Sequence, residues 1–391
     1  MKEKLNIVLY VSNFLPKIGG REMVVFHLAN ELQDLGHKVR VLGPTGWWRY
    51  RKSKFNYPVH RWPTLRGYFA EQVNYLNLFL DTSLYGCDVI HAHNTYPTGY
   101  AALRLKEIKN IPLVITPHGV DIHTIPEIGH GLRLDDSLRP KIDRAAQGAN
   151  LITAISTSVE NAILDTGVSA KKIRMIPNGV NISRFNRQNT KDAREYFELQ
   201  KETKLILTVG NYERRRGHEE LIMAMPIILM SEPNARLVIV GKDTEILQPL
   251  ISELNIKDEV ILAGQIKPPS FEMVDGDKLA DIYCSSDIYV SAGVNEGAEG
   301  LSLALLDGMA AGLQIVATDI SGNRDIIKDG ESGFLVPPGD VDRLAESLIK
   351  VLKDKELRNR MIAESKKTIE KFSWREIARQ YIDVYRECIN M

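Results

Sequence analysis

The chain has 391 residues, 44% hydrophobic and 26% charged. That is the composition of an ordinary globular enzyme, too long for one core, so two domains are expected. The 50 Lys+Arg balance the 50 Asp+Glu, which argues against a dedicated nucleic-acid binder, and Cys87, Cys284 and Cys388 are scattered without a CxxC pair, which argues against a disulfide framework or a zinc site.

A cytoplasmic protein is the expectation from this cysteine usage. The apolar run at 5–11 is far shorter than the roughly 20 residues of a membrane helix and lacks the form of a secretory signal. With β-branched Ile7 and Val8 it predicts a buried strand over 5–10. Helical spacing follows over 22–35, with Val25, Leu28, Ala29 and Leu32 on one face and Gly36 as the stop. Further buried strands are predicted over 39–42, 88–91, 113–116 and 151–154. The pattern pauses at Pro177-Asn178-Gly179 and the polar stretch 186–191, where the interdomain linker is placed. A second series follows, with strands over 205–209, 236–240, 260–262, 287–290 and 315–317. The tail 340–391 reads as amphipathic helix, interrupted by Phe372-Ser373-Trp374 before a last helix over 375–389.

Short apolar strands between helices imply parallel sheets covered on both faces. The expected fold is α/β, with two doubly wound Rossmann-like domains and a ligand cleft between them. The expected domains are 1–185, with 373–391 packing back on it, and 186–372.

Three Gly-rich turns follow strands and open helices. The first contains Gly19, Gly20, Arg21 and Glu22. Its glycines and helix start favour an anion, although a plain tight turn reads the same way. It is not GxGxxG, so a nicotinamide dehydrogenase loses support. The second is Gly210-Asn211-Tyr212-Glu213-Arg214-Arg215-Arg216-Gly217-His218. Its arginines could grip phosphate in bidentate fashion, or form a solvated basic turn. The third runs from Glu296 through Glu299, Gly300, Leu301, Ser302 and Asp307 to Gly312, with a helix expected from about Leu301. Its glycines and helix start can hold a diphosphate, and its carboxylates can accept from sugar hydroxyls. An acidic cap on the helix dipole is the competing reading.

At this third segment the chain resembles the retaining GT-B glycosyltransferases of family four. That family carries a Glu, seven residues, a second Glu and Ala-Met-Ala-x-Gly. Here the run is Glu299, seven residues, Asp307 and Gly308-Met309-Ala310-Ala311-Gly312. Gly19-Gly20, His91-Ala92-His93, His118-Gly119-Val120-Asp121, Ile176-Pro177-Asn178-Gly179-Val180 and Gly322-Asn323 match in order, and the helix around Trp374 resembles the one that crosses back to the N-terminal domain.

The resemblance implies roles. Glu299 would bond the donor sugar, Gly300, Leu301 and Ser302 would contact sugar and diphosphate, and Asp307 would hold the ribose. Gly19 and Gly20 would lie beside the diphosphate and His118 by the reacting sugar. A basic pair would clamp the leaving phosphates, but the family's Arg is Asn211 here and its Lys is Arg216. Arg214 or Arg215 is the candidate to restore the lost charge. Gly308, beside the shortened Asp307, is read as room for the ribose or as neutral drift. The donor would be a nucleoside-diphosphate (NDP) sugar, with no metal or other cofactor, because arginines and helix dipoles can take the ion's part. Asp135-Asp136 is read as surface charge.

Residues 1–182 hold 22 Lys+Arg against 15 Asp+Glu, a net +7 that leaves −7 for the remainder. The basic half contains Trp47, Trp48, Arg49, Arg51, Lys52 and Lys54, a mixture suited to an anionic membrane face or to a loop that buries its Trp residues. A helix with Tyr75, Leu78, Phe79 and Leu84 follows. The expected acceptor is a glycan or lipid-linked hydroxyl, since GT-B enzymes bind acceptors in the N-terminal domain, and contact with the inner face of the membrane is expected. The alternatives are another GT-B sugar-nucleotide enzyme, such as an epimerase or phosphorylase, and a non-catalytic nucleotide-sugar-binding partner subunit.

Overall fold

The computed structural model describes residues 3–15, 19–44, 55–63, 69–187, 190–266, 276–297 and 300–391. The chain forms two compact units, 1–179 with 374–391, and 180–373. The division falls at Gly179/Val180 and Ser373/Trp374, the first of these within the region expected to hold the linker and ahead of the expected boundary at 185/186. The polar stretch that suggested the later position belongs to the second unit.

The first unit is built on a parallel sheet of β1 (Asn6–Val11), β2 (Lys38–Pro44), β3 (Val59–Trp62), β4 (Val89–His93), β5 (Leu113–Thr116), β6 (Leu151–Ala154) and β7 (Ile173–Met175) in the order 3-2-1-4-5-6-7. The second is built on β8 (Lys204–Val209), β9 (Ala235–Val240), β10 (Val260–Gly264), β11 (Ile288–Ser291), β12 (Gln314–Thr318) and β13 (Phe334–Val336) in the order 10-9-8-11-12-13, again parallel. Both are doubly wound, and each reverses its winding once: between β1 and β4, and between β8 and β11.

The central strands are apolar on both faces because helices cover both. On β8, Ile206 joins one buried cluster while Leu205 and Leu207 join the other. The sequence reading lacked β3, β7 and β13. These are edge strands of three or four residues, and all four residues of β3 are only half-buried, so they carry no continuous apolar run. Several helices begin with a side chain that accepts an amide of the first turn: Ser156 from Val159, Asp277 from Ala280, Asp340 from Arg343 and Asp354 from Leu357. No side chain caps the helices Gly20–Asp34 and Leu303–Ala310, which start near the two reversals.

The last helix, Trp374–Ile389, belongs to the first unit. Trp374 fits because residue 179 is Gly: a Cβ there would lie 2.6 Å from the indole. The ring stacks on His27 at 5.4 Å.

Candidate functional site

Parallel sheets bind ligands at the carboxyl ends of strands flanking a winding reversal. In the second unit that point lies after β8 and β11, where two of the three Gly-rich turns stand. Gly210 follows β8 and cannot be larger without displacing the Arg216 guanidinium, whose Nη1 would lie 2.8 Å from its Cβ. Arg214–Arg216 form one 3-10 turn, ended by Gly217 in the left-handed region at φ +68°. A Cβ on Gly217 would fall 1.8 Å from the Ala292 carbonyl, and Val294 N–H donates to the Arg215 carbonyl at 2.9 Å. The arginine turn is therefore packed backbone to backbone on the loop after β11. That loop is braced in turn: Glu296 accepts from the Ser321 amide at 3.1 Å, and a Cβ on Gly322 would sit 2.1 Å from the Gly300 carbonyl.

Folding thus brings Arg216, Gly300, Leu301, Ser302 and the open start of helix Leu303–Ala310 into one neighbourhood. The helix starts two residues later than the sequence suggested. Glu299 lies outside the described residues, as do Trp47, Trp48, Arg49, Arg51, Lys52 and Lys54.

The three arginines differ. Arg214 makes a two-point pair with Glu220, at 2.9 and 2.5 Å. Arg215 is bonded to Glu213 at 2.7 Å, and Arg216 stands 3.7 Å from the same carboxylate. Asn211, at the position of the family's Arg, accepts from the Lys242 amide at 3.0 Å and ties the ends of β8 and β9 together. Arg214 and Arg215 are thus each paired with a glutamate, contacts that a charge count does not reveal.

Asp307 stands on helix Leu303–Ala310 and is about one fifth exposed. Burial pushes its carboxyl up to about 6, with Arg184 opposing and Asp277 adding to the rise. Gly308 beside it does not make room for a ligand. Its missing Cβ faces the buried Tyr289 ring, at 2.7 Å from Cγ, so close helix–sheet packing explains this glycine. Arg184 and Asp277 were not singled out from the sequence. Arg184 meets Asp277 across 93 residues and Asp307 across 123, a separation that leaves no local signal.

In the first unit the reversal lies after β1 and β4. Gly19 is confined, since a Cβ would be 2.5 Å from Glu22 Oε2, whereas Gly20 is open. Arg21 joins the two strand ends through Nη1 to Asn94 Oδ1, 2.7 Å. His118 follows β5; its amide donates to Asp121 Oδ1 at 2.9 Å, and its Nε2 meets Nδ1 of buried His93 at 3.0 Å. Burial, with Arg21 and His91 nearby, holds His118 well below the usual imidazole range, so it is neutral at pH 7. Asp135 and Asp136 are exposed, as surface charge. A pocket of about 410 Å³ opens at the ends of β1 and β2, lined by residues including Tyr10, Asn13, Trp62, Asn74 and Asn77.

The family models decide the class. Residues 18–184 match Glycosyltransferase Family 4, and residues 189–368 match Glycosyl transferases group 1. The chain is a family-four glycosyltransferase. It is 25% identical to the N-acetyl-alpha-D-glucosaminyl L-malate synthase of Bacillus anthracis, over 100% of this chain and 98% of that protein. It is 26% identical to the phosphatidyl-myo-inositol mannosyltransferase of Mycolicibacterium smegmatis, over 94% and 90%. Among solved structures, a glycosyltransferase from Rickettsia africae ESF-5 superposes with a TM-score of 0.81 at 19% identity, covering 98% and 99%. Anabaena HepE in complex with UDP-glucose gives 0.78 at 18%, covering 97% and 99%. The fold of this glycosyltransferase is accordingly GT-B.

Proposed function

We propose that this glycosyltransferase moves a sugar from an NDP-sugar to a hydroxyl of a glycan or glycolipid acceptor, with retention of anomeric configuration and without a metal ion. The observation that carries the reading is the packing of the Arg214–Gly217 turn on the loop that leads into helix Leu303–Ala310. It sets a guanidinium and uncapped helix amides at one strand-end site, a combination suited to a diphosphate.

The bond from the anomeric carbon to the diphosphate oxygen breaks, and negative charge grows on the leaving group. Arg216, Arg215 and the amides around Leu303 stabilise that charge. The acceptor oxygen bonds the anomeric carbon on the same face, and its proton passes to the leaving phosphate oxygen, giving free NDP and a glycoside. Glu299 is assigned to the donor sugar, Asp307 to the ribose, the Gly19 and Gly20 backbone to the diphosphate, and neutral His118 to a sugar hydroxyl. The named relatives support a hydroxyl acceptor, one being an N-acetyl-alpha-D-glucosaminyl L-malate synthase and the other a phosphatidyl-myo-inositol mannosyltransferase. The described lining of the 410 Å³ pocket is amide, hydroxyl, aromatic and aliphatic, without a charged side chain, which suits a polyol.

Membrane contact is part of the proposal, and a helix supports it. On helix Ala70–Tyr85, Leu76, Leu80 and Leu84 form an exposed stripe with Phe69 before it and Ile108 on the next helix. Lys109 and Arg104 flank the stripe over the Phe79 and Tyr75 rings. Leu78, on the same helix, is fully buried. No described helix is long and apolar enough to cross a membrane.

The test is transfer, or slow donor hydrolysis, across UDP-, GDP- and ADP-sugars with and without chelator, with the product anomer read by NMR. Turnover that survives chelation with the donor's configuration kept is expected. Inversion overturns retention, and full loss on chelation overturns metal independence. Tight donor binding without turnover on any acceptor favours the partner-subunit alternative. A Glu299→Gln enzyme with undiminished turnover removes Glu299 from the site.

A further inference from the structure

Arg184 stands on the 3-10 turn Ile182–Phe185, far in sequence from every motif of the donor site. Its guanidinium forks onto Asp277, Nε to Oδ2 at 2.7 Å and Nη2 to Oδ1 at 3.1 Å. Asp277 is itself fixed, since it caps helix Lys278–Ser285 by accepting from Ala280 N–H at 3.0 Å. The guanidinium carbon lies 5.3 Å from the Phe185 ring centre, and Phe185 packs edge-on against buried Tyr283. A planar cation held at two points and stacked on a ring has little freedom. The remaining Nη1 points a hydrogen bond at Asp307 Oδ2, 3.3 Å away. Among the described residues no hydrogen bond takes up Oδ1 of Asp307.

We propose that Arg184 is a positioning residue for the donor: by pinning one oxygen of Asp307, it aims the other at the ribose hydroxyls of the nucleotide. This rests on the reading of Asp307 as the ribose ligand. It also accounts for the shortened side chain. A Glu at 307 would carry its carboxylate one methylene beyond the place where Nη1 meets it, whereas Asp ends within reach of a cation that cannot move. The reach lost in going from Glu to Asp is compensated by fixed direction.

Asp307 must be ionised to accept two ribose hydroxyls. The groups facing it are Arg184, Asp277 and the Tyr283 phenol, and of these only Arg184 is a cation. With its folded value raised to about 6 by burial, ribose acceptance is present above that pH and is lost as pH falls through it. Without Arg184 the same loss occurs at higher pH, because burial and Asp277 then act unopposed.

The experiment measures UDP, GDP and ADP binding by calorimetry to the full chain, in wild type and in Arg184→Met, Arg184→Lys and Asp307→Asn, from about pH 5.5 to 8.5. For the nucleotide bound tightest, Arg184→Met is expected to weaken binding about tenfold near pH 7 and by a smaller factor near pH 8.5, where Asp307 is ionised but no longer aimed. Arg184→Lys is expected to recover part of the neutral-pH loss. A loss in Arg184→Met that is equal at all pH values overturns the inference, as does an unchanged profile. An Arg184→Met chain that fails to fold passes the decision to Arg184→Lys, whose pH midpoint must still move upward. If Asp307→Asn binds nucleotide as wild type does, the ribose reading itself fails, whatever the Arg184 variants do.

Discussion

A methyl group placed on Gly308 would lie 2.7 Å from Cγ and 2.9 Å from Cβ of Tyr289. Tyr289 is buried in turn against Tyr283, so the ring has nowhere to go. Overpacking of this kind costs about 1–3 kcal/mol, against which Ala regains roughly 1 kcal/mol of helix propensity. Gly308→Ala is therefore expected to lower stability by up to about 2 kcal/mol in a urea titration, with nucleotide affinity unchanged once folded. Weakened nucleotide binding at full stability would return Gly308 to the ligand. At this scale the sequence was legible where a motif is local. Gly217 and Gly322 stand where backbones touch, and Gly20 where space is open. It was illegible where the partner is remote: nothing near Arg184 announces Asp277 or Asp307, and nothing in a run of three arginines shows that Glu220 engages one of them.

Helix Trp374–Ile389 buries Trp374, Ile377, Ala378, Tyr381 and Tyr385 along one face, and that spacing made it readable in advance. Its polar connections were not. Tyr385 Oη meets His91 Nδ1 at 2.7 Å, and the other nitrogen of His91 meets Thr116 Oγ1 at 2.6 Å, all of it buried. Tyr385→Phe leaves a buried imidazole nitrogen unpaired, a cost of about 1–3 kcal/mol visible as a lowered Tm. Burial drives His91 down to about 3, while the unfolded chain takes up a proton near pH 6.5. Between those values the unfolded state binds more protons, so the folded state is expected to lose stability as pH falls below about 6.5. Urea midpoints should decline from there downward in wild type, and less steeply in a His91→Gln variant; parallel declines would remove His91 as a cause. The strands show the same division. Those with continuous apolar runs were predicted within a few residues, whereas β3, β7 and β13, short and at sheet edges, were not.

For the whole molecule, a net charge of zero conceals +7 in residues 1–182. The leucine stripe on helix Ala70–Tyr85 belongs to that basic part. Apolar anchoring and attraction to anionic lipid should therefore act together. Co-sedimentation with phosphatidylglycerol vesicles is expected at low salt, with much of it lost at about 0.5 M salt, where charges are screened within a few ångströms. Leu84→Glu is expected to weaken it at both. Absence of binding at low salt would rule the surface out. The two-unit architecture was legible because alternating strands and helices extend over hundreds of residues, and the Pro177-Asn178-Gly179 turn marks the division, although the polar stretch after it drew the expected boundary a few residues late.

The boundary has a consequence of its own. Val180 N–H donates to the Phe372 carbonyl at 2.8 Å, and Val180 bridges Ser373 in parallel. The second unit therefore begins and ends at the same spot. A segment whose two ends touch can be transplanted as a cassette with a two-point splice, its own sheet and core intact. On the proposed donor reading, recombination between relatives that cuts at Gly179/Val180 and Ser373/Trp374 is expected to exchange nucleotide preference as one heritable block.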